Sequence, residues 1–173
     1  TFLLDHREVE LIFCVASAAD PVVPVVHELM VGHPHVDARL LIGNDRVSGN
    51  PKLNNLIKGY EAARADWIAF IDANVMLPPD AVARLFDCVE PGIGLVSSPP
   101  AGTHAEGWSA HVECAILNSY QARWQSVADF VGLGFAQGKV MMFNRGILDN
   151  AGGLMRLSEE AAEDAAATKV VRA

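Results

Sequence analysis

The stretch DWIAFIDANVML, residues 66–77, gives the clearest indication of how this chain folds. Its first part is apolar and rich in aromatic and β-branched residues, as in a strand buried within a sheet. Asp72 then interrupts the apolar run and is followed by Ala73 and Asn74. A carboxylate is costly to bury alone, so it is normally paired or bound to a metal. The pattern predicts a strand that ends at a site, although a turn or N-cap role for Asp72 explains the local sequence equally well.

Strand and helix patterns alternate on both sides of this stretch. Apolar runs predict strands at residues 9–16, 38–43, 67–72, 93–98 and 139–144. Helical spacing and capping residues predict helices at residues 22–31, 78–89 and 107–124, and further helices that begin at Pro51, at Arg145 and after a Ser158 cap. The Gly-rich residues 129–138 are typical of a loop. This alternation favours one α/β domain with a mainly parallel sheet that is covered by helices on both faces.

Composition limits the partners. The 173 residues carry a formal charge of −8, which argues against binding a nucleic-acid backbone but leaves a nucleotide possible. The 3 cysteines show no disulfide or zinc spacing, so a reducing compartment is expected. The sequence shows no bilayer-spanning apolar run and no signal peptide, and it begins without Met. We therefore expect a soluble piece of a longer protein.

Two further segments carry candidate site residues. NPKLNN places Lys52 and Asn54 at a helix start, where N–H groups and a cation can face a phosphate; a capped surface helix is the alternative. EEAAEDAAATK embeds Glu163 and Asp164 among alanines, which leaves room for a substrate beside a general base; a solvated helix face is the alternative. Asp20 follows the first predicted strand. The chain thus carries candidate acids after its first strand, after its third strand and near its end.

Five stretches in this order resemble GT-A glycosyltransferases of the family-2 kind. They are LIFCVASAADP, the segment from VDARLLIG to IDANV, GLVSSPP, LDNAGGL and AEDAAATK. The likeness is closest to the ceramide glucosyltransferase group, with its bacterial lipid- and hopanoid-associated relatives. It implies a Rossmann-like mixed, mostly parallel sheet flanked by helices and truncated at both ends. Residues 1–173 would then be one catalytic core domain of a longer, membrane-associated protein.

The resemblance also assigns roles to individual residues. Asp20 matches the family acid in the nucleotide pocket, and Lys52 lies where the family binds the diphosphate. Asp72 and Asn74 match the DxD-type position, which implies Mg²⁺ or Mn²⁺ as cofactor. Asp164 matches the acid that serves as catalytic base.

Other residues fall in the acceptor region of the family. They are Trp108, Gly138 and Glu163. Phe135 could line an apolar acceptor groove with Trp108, whereas Met141 and Met142 are better explained as core residues.

The sequence departs from the family pattern at three places. Ala16–Ala19 replace acidic residues before Asp20, and Asn74 replaces a second acid. QARW at 121–124 has the wrong spacing and position for the family (Q/R)xxRW motif, which we expect beyond Ala173.

The activity implied by the resemblance is transfer of a hexose, with inversion, from a UDP-sugar to a lipid hydroxyl. The donor sugar would be glucose, and the acceptor would be ceramide or a hopanoid lipid. The reaction would take place at the cytoplasmic face of a membrane, and the isolated core would be inactive. The alternatives are a degenerate, non-catalytic nucleotide-sugar-binding module and, less well matched, a nucleotidyltransferase.

Overall fold

A computed structural model of the protein describes residues 9–159 and 163–172. The strands are β1 (Glu10–Val15), β2 (Asp37–Ile42), β3 (Trp67–Ile71), β4 (Leu95–Ser97) and β5 (Val140–Asn144). The helices are α1 (Val22–Gly32), α2 (Pro51–Ala62), α3 (Ala81–Asp87), α4 (Gly107–Ile116), α5 (Ala122–Phe130), α6 (Arg145–Asn150) and α7 (Glu163–Arg172). The π-helical turn Leu117–Gln121 joins α4 to α5, and the segment Leu154–Glu159 is a 3₁₀ helix. None of the described helices is long and apolar enough to cross a membrane.

The strands form a mixed arrangement with two ladders. β1 and β2 pair in parallel, with Glu10 opposite Asp37. β5 lies between β3 and β4 and runs antiparallel to both. The carboxyl ends of β3 and β4 and the amino end of β5 therefore share one edge of this sheet. The α/β alternation predicts the strands but not the reversed direction of β5.

β5 forms the centre of the core because its side chains are buried on both faces. Met141 and Phe143, both 0% exposed, pack on the side of α2, α7 and the 3₁₀ helix. Val140 and Met142 point to the opposite side, where α3 packs. This alternation is the ordinary two-residue period of a strand, and the two methionines are core residues as the sequence suggests.

Two local features set the ends of the helices that carry site residues. Asn50 caps α2: its side-chain oxygen accepts hydrogen bonds from the backbone N–H groups of Lys52 at 2.9 Å and Leu53 at 3.4 Å, and Pro51 begins the helix. The predicted Ser158 cap is wrong, because Ser158 lies inside the 3₁₀ helix and its hydroxyl donates to the Met155 carbonyl at 2.7 Å. Residues 160–162 of that predicted helix lie outside the described residues.

Small residues let α7 lie directly on the sheet. Ala166 and Ala167 are 1% and 0% exposed. A Cβ on Gly94, just before β4, would lie 2.6 Å from Cγ1 of Val171, so no larger residue fits there without movement. The close packing fixes the start of α7, with its two acidic residues, relative to β5.

Leu157→Ala should lower the free energy of unfolding by about 2–5 kcal/mol, because the leucine is fully buried and its removal leaves a cavity. Denaturant unfolding measures the change. Leu133→Ala is the matched control, since Leu133 is 67% exposed and should change stability by less than about 0.5 kcal/mol. Equal effects of the two substitutions would contradict this description of the core.

Candidate active site

Asp72 lies at the sheet edge where β3 ends and β5 begins. Its backbone N–H donates to the Lys139 carbonyl at 3.1 Å, which continues the β3–β5 ladder by one residue. Its carboxylate is only partly exposed and contacts two ammonium groups. Burial pushes the pKa of Asp72 up, but hydrogen bonds from Lys52 and Lys139 outweigh burial and hold the pKa below its ordinary value. Asp72 is therefore a charged residue at this edge of the sheet, with side-chain contacts to distant parts of the chain as well as a backbone contact within its own turn.

Lys52, in the first turn of α2, links three parts of the chain. Its ammonium lies 2.7 Å from Oδ1 of Asp72 and 2.7 Å from Oε1 of Glu163, and it donates to the Gly138 carbonyl at 2.8 Å. Burial pushes the pKa of Lys52 down, but bonds to the two carboxylates outweigh this and raise the pKa above its ordinary value. Lys52 is thus a fixed, half-buried positive charge.

Lys139 supplies a second positive charge on the other side of Asp72. Its ammonium lies 3.1 Å from Oδ2 of Asp72 and 3.0 Å from Oδ1 of Asn74. These are the two residues that the sequence assigns to a metal ion. An ammonium group therefore already lies across the carboxylate and amide oxygens of this pair.

The two acids at the start of α7 make different contacts. Glu163 accepts from Nδ2 of Asn50 at 3.3 Å as well as from Lys52. Burial pushes the pKa of Glu163 up, but these bonds lower it overall. Asp164 accepts from the Gly138 N–H at 3.2 Å and, through its other oxygen, from the Ala165 N–H at 2.8 Å. Asp164 thus contacts backbone donors, whereas Glu163 neutralises Lys52.

Gly138 is the point at which these groups meet. A Cβ there would lie 3.1 Å from Oε1 of Glu163, 3.5 Å from Nζ of Lys52 and 3.6 Å from Oδ2 of Asp164. A side chain here would press on the Glu163 carboxylate. The absence of a side chain therefore lets the two acids and the lysine approach the backbone of Gly138 closely.

The arrangement combines fixed cations with a carboxylate that is bound only to N–H donors. The ammonium groups of Lys52 and Lys139 are suited to a phosphate or diphosphate, and Asp164 is suited to accept a proton. Among the residues that the structure describes, no group of three or more His, Cys, Asp or Glu side chains could hold a metal ion. A divalent ion at Asp72 and Asn74 would need oxygen ligands from its substrate, which is usual for Mg²⁺.

Three of the predicted site residues lie apart from this cluster. The Asp20 carboxylate accepts from the Val22 N–H at 2.9 Å, a local contact at the start of α1. Both polar side-chain atoms of Asn54 bind Ser48, so the buried Asn54 fastens the loop that precedes α2. Trp108 is 82% exposed at the start of α4 and makes no described contact with the acids.

The sequence analysis missed Lys139 and the role of Asn50 as a partner of Glu163. A basic residue just before an apolar strand is a weak signal alone. It gains meaning only once β5 is known to begin at the same edge where β3 ends, because that direction brings Lys139 beside Asp72.

Known proteins share both sequence and fold with this chain. Ceramide glucosyltransferase 1 of Caenorhabditis elegans is 28% identical over 165 residues, covering 94% of this chain and 35% of that protein. The ceramide glucosyltransferase of Komagataella phaffii is 40% identical over 89 residues, covering 49% of this chain and 18% of that protein. This chain thus spans about a third or less of the length of these relatives.

The fold agrees with a solved structure. Mannosyltransferase PcManGT from Pyrobaculum calidifontis, in complex with GDP-Man and Mn²⁺, matches 98% of this chain and 45% of its own, with a TM-score of 0.63 and 20% identity. This confirms the GT-A type of fold expected from the sequence. The family model of glycosyl transferase family 21 matches residues 1–173, and the chain therefore belongs to that family.

Proposed function

We propose that this chain is the catalytic core of an inverting glycosyltransferase, which transfers a hexose, glucose in the first instance, from a UDP-sugar to the hydroxyl of a lipid such as ceramide. One observation carries the proposal. Lys52 of α2 binds both Asp72, which follows β3, and the Gly138 carbonyl, and Asp164 of α7 accepts from the Gly138 N–H, although these residues are far apart in the sequence. The similarity to ceramide glucosyltransferases supports the sugar and the acceptor.

In the proposed reaction, Asp164 acts as the general base. Its carboxylate accepts the proton of the acceptor hydroxyl, and the hydroxyl oxygen attacks the anomeric carbon. The bond from that carbon to the diphosphate oxygen breaks, and UDP leaves with the bonding electrons. Because attack comes opposite to the leaving group, the anomeric configuration inverts.

The charged side chains assist departure of the diphosphate. The Lys52 ammonium is fixed by two carboxylates and a carbonyl, so it needs little reorganisation to meet a developing negative charge. Asp72 holds Lys52 and Lys139 on either side of itself. Glu163 keeps Lys52 charged and close to Gly138.

A divalent ion fits the donor set of this site. Asp72 and Asn74 offer hard oxygen ligands of the kind that Mg²⁺ and Mn²⁺ prefer, and this pair already binds a cation, the Lys139 ammonium. When bound, the ion would neutralise charge on the leaving diphosphate. Lys139 would have to give up its contacts with Asp72 and Asn74.

The lipid acceptor places the reaction at a membrane. We propose that residues 1–173 form a single catalytic core at the cytoplasmic face of a membrane, with the membrane-binding segments in a longer protein. The sequence similarity supports this, because this chain covers about a third of the length of its relatives from Caenorhabditis elegans.

Asp164→Asn should reduce transfer of glucose from UDP-glucose to a ceramide by about 10²–10⁴-fold, because the amide cannot accept the acceptor proton. Transfer is measured with the intact protein, and UDP binding by calorimetry should be retained. Asp87→Asn, an exposed change at the end of α3, is the control for loss of one negative charge. Unchanged transfer in Asp164→Asn would remove Asp164 as the base. Binding of UDP-glucose without transfer or hydrolysis in the unaltered protein would favour the non-catalytic module.

Lys139→Met should tighten binding of Mn²⁺ in the absence of nucleotide by about 10-fold or more, because it removes a competing cation from Asp72 and Asn74. Electron paramagnetic resonance of free Mn²⁺ measures the affinity. Asp72→Ala should weaken the same binding, and Lys169→Met, which removes an equal charge from an exposed position on α7, should leave it nearly unchanged. Equal Mn²⁺ affinity in the unaltered protein and the Lys139→Met variant would contradict a metal site at Asp72 and Asn74.

A further inference from the structure

Exposed apolar side chains are concentrated along α4, the π-helical turn, α5 and the Gly-rich segment after them. Within the helical part they recur every three or four residues, the spacing at which helix side chains are neighbours. The set is Trp108, Val112, Ile116, Tyr120, Trp124, Val127, Phe130, Val131, Leu133 and Phe135. Monomeric proteins seldom expose so continuous an apolar surface unless it binds something.

Part of this surface forms a groove. The groove has a volume of about 530 Å³ and is largely open to solvent. Its lining consists of Ile116, Tyr120, Gln121, Trp124, Phe135 and Gln137. Tyr120 and Trp124 are 65% and 53% exposed, so these aromatic walls are packed on one side only and can turn to admit a ligand.

Gln121 and Gln137 are the polar residues of the groove, and Gln137 is the buried one. It is 6% exposed, and among the described residues both its amide oxygen and its amide nitrogen lack a hydrogen-bond partner. Its backbone is fixed by Ser97, which accepts from the Gln137 N–H at 3.0 Å and donates to the Gln137 carbonyl at 3.3 Å. An unpaired buried amide is unfavourable, and a ligand that supplies both an acceptor and a donor would relieve the cost.

The groove is continuous with the acidic site through the chain itself. Gln137 is followed directly by Gly138, whose N–H binds Asp164 at 3.2 Å. The N–H of Ala136 donates to Oγ1 of Thr168 at 2.8 Å, so this segment is held against α7 on both sides of Gln137. A ligand that contacts Gln137 is therefore one residue along the chain from Gly138, whose N–H binds the proposed base.

We propose that this groove binds the lipid acceptor of the proposed reaction, and that Gln137 is the residue that positions it, by pairing with an amide group next to the hydroxyl that is glycosylated. The hydrocarbon lies against Tyr120, Trp124 and Phe135. The amide of the lipid pairs with the amide of Gln137, which directs the neighbouring hydroxyl toward Asp164. This rests on the proposed function and deepens it, because a lipid without an amide, such as a hopanoid, leaves Gln137 unpaired.

The charges of the helical face favour a single lipid molecule over an anionic membrane surface as the occupant. Residues 107–130 contain one arginine and no lysine, beside Glu113 and Asp129. Recognition of anionic headgroups depends on clusters of Lys and Arg. An apolar groove with one buried amide at its base instead suits a neutral lipid.

Gln137→Leu tests the pairing directly. Two acceptors are compared with the intact protein and UDP-glucose: an N-acyl sphingoid base, and a long-chain alcohol of the same length without an amide. The ratio of the two kcat/KM values should fall by about 10-fold in Gln137→Leu, the loss expected for about one hydrogen bond. Gln125→Leu is the control, since it removes another buried glutamine that does not line the groove, and it should keep the ratio. An unchanged ratio in Gln137→Leu would overturn the proposal.

Binding without transfer gives a second measurement. An N-acyl lipid with bromine in its acyl chain should quench tryptophan fluorescence, and Trp124→Phe should remove most of that quenching. Gln137→Leu should weaken the binding while its thermal stability stays equal or rises, because it removes an unpaired buried amide. Quenching that persists in Trp124→Phe would overturn the groove as the site, and a loss of stability in Gln137→Leu would show that its amide already has a partner.

The two measurements separate this inference from the proposed function. Quenching that depends on Trp124 and Gln137, without sugar transfer to any acceptor, would support the groove and remove the enzyme assignment. Transfer that is indifferent to Gln137 in both acceptors would support the enzyme and remove the groove.

Discussion

The ammonium of Lys52 is the contact on which the site depends. It joins the end of β3, the start of α7 and the chain before β5, through Asp72, Glu163 and the Gly138 carbonyl. A half-buried cluster of this kind is stable only when every charge has a partner, since removal of one member leaves an uncompensated charge. Without Lys52, the carboxylates of Asp72 and Glu163 would lose the cation that they share. The lysine therefore holds together elements that share no continuous stretch of sequence.

The approach of α7 depends on residues that lack bulk. Ala166 and Ala167 bring the helix axis close to the core, and Gly94 makes room for Val171. Gly138 then allows Glu163 and Asp164 to lie within contact of the chain at the sheet edge. The hydrophobic packing and the electrostatic contacts thus both require α7 to lie close to the sheet. Packing sets the position of α7, and the charges select which of its residues face the site.

The sequence predicts those parts of the site that depend on local rules. The apolar run before Asp72 indicates its strand, and Asn50 with Pro51 indicates the helix start that carries Lys52. The importance of Asp164 comes from the family resemblance, because alanines around an acid are equally typical of a solvated helix. The roles of Asp20, Asn54 and Trp108 stay predictions, since their surroundings depend on how loops fold back. Lys139 could not be found because its partners, Asp72 and Asn74, follow a strand far away in the sequence, and the burial of Gln137 has no local sequence signal.

The direction of β5 explains why one short segment can serve two chemistries. Because β5 begins at the edge where β3 and β4 end, the residues before it must cross that edge. In this segment, successive N–H groups bind different neighbours: those of Ala136 and Gly138 bind α7, and that of Gln137 binds Ser97 at the end of β4. Gly138 and Lys139 contact charged groups, whereas Phe135 and Gln137 line the apolar groove. A parallel β5 would begin at the far edge of the sheet, and the charged cluster and the groove would then lose the segment that joins them.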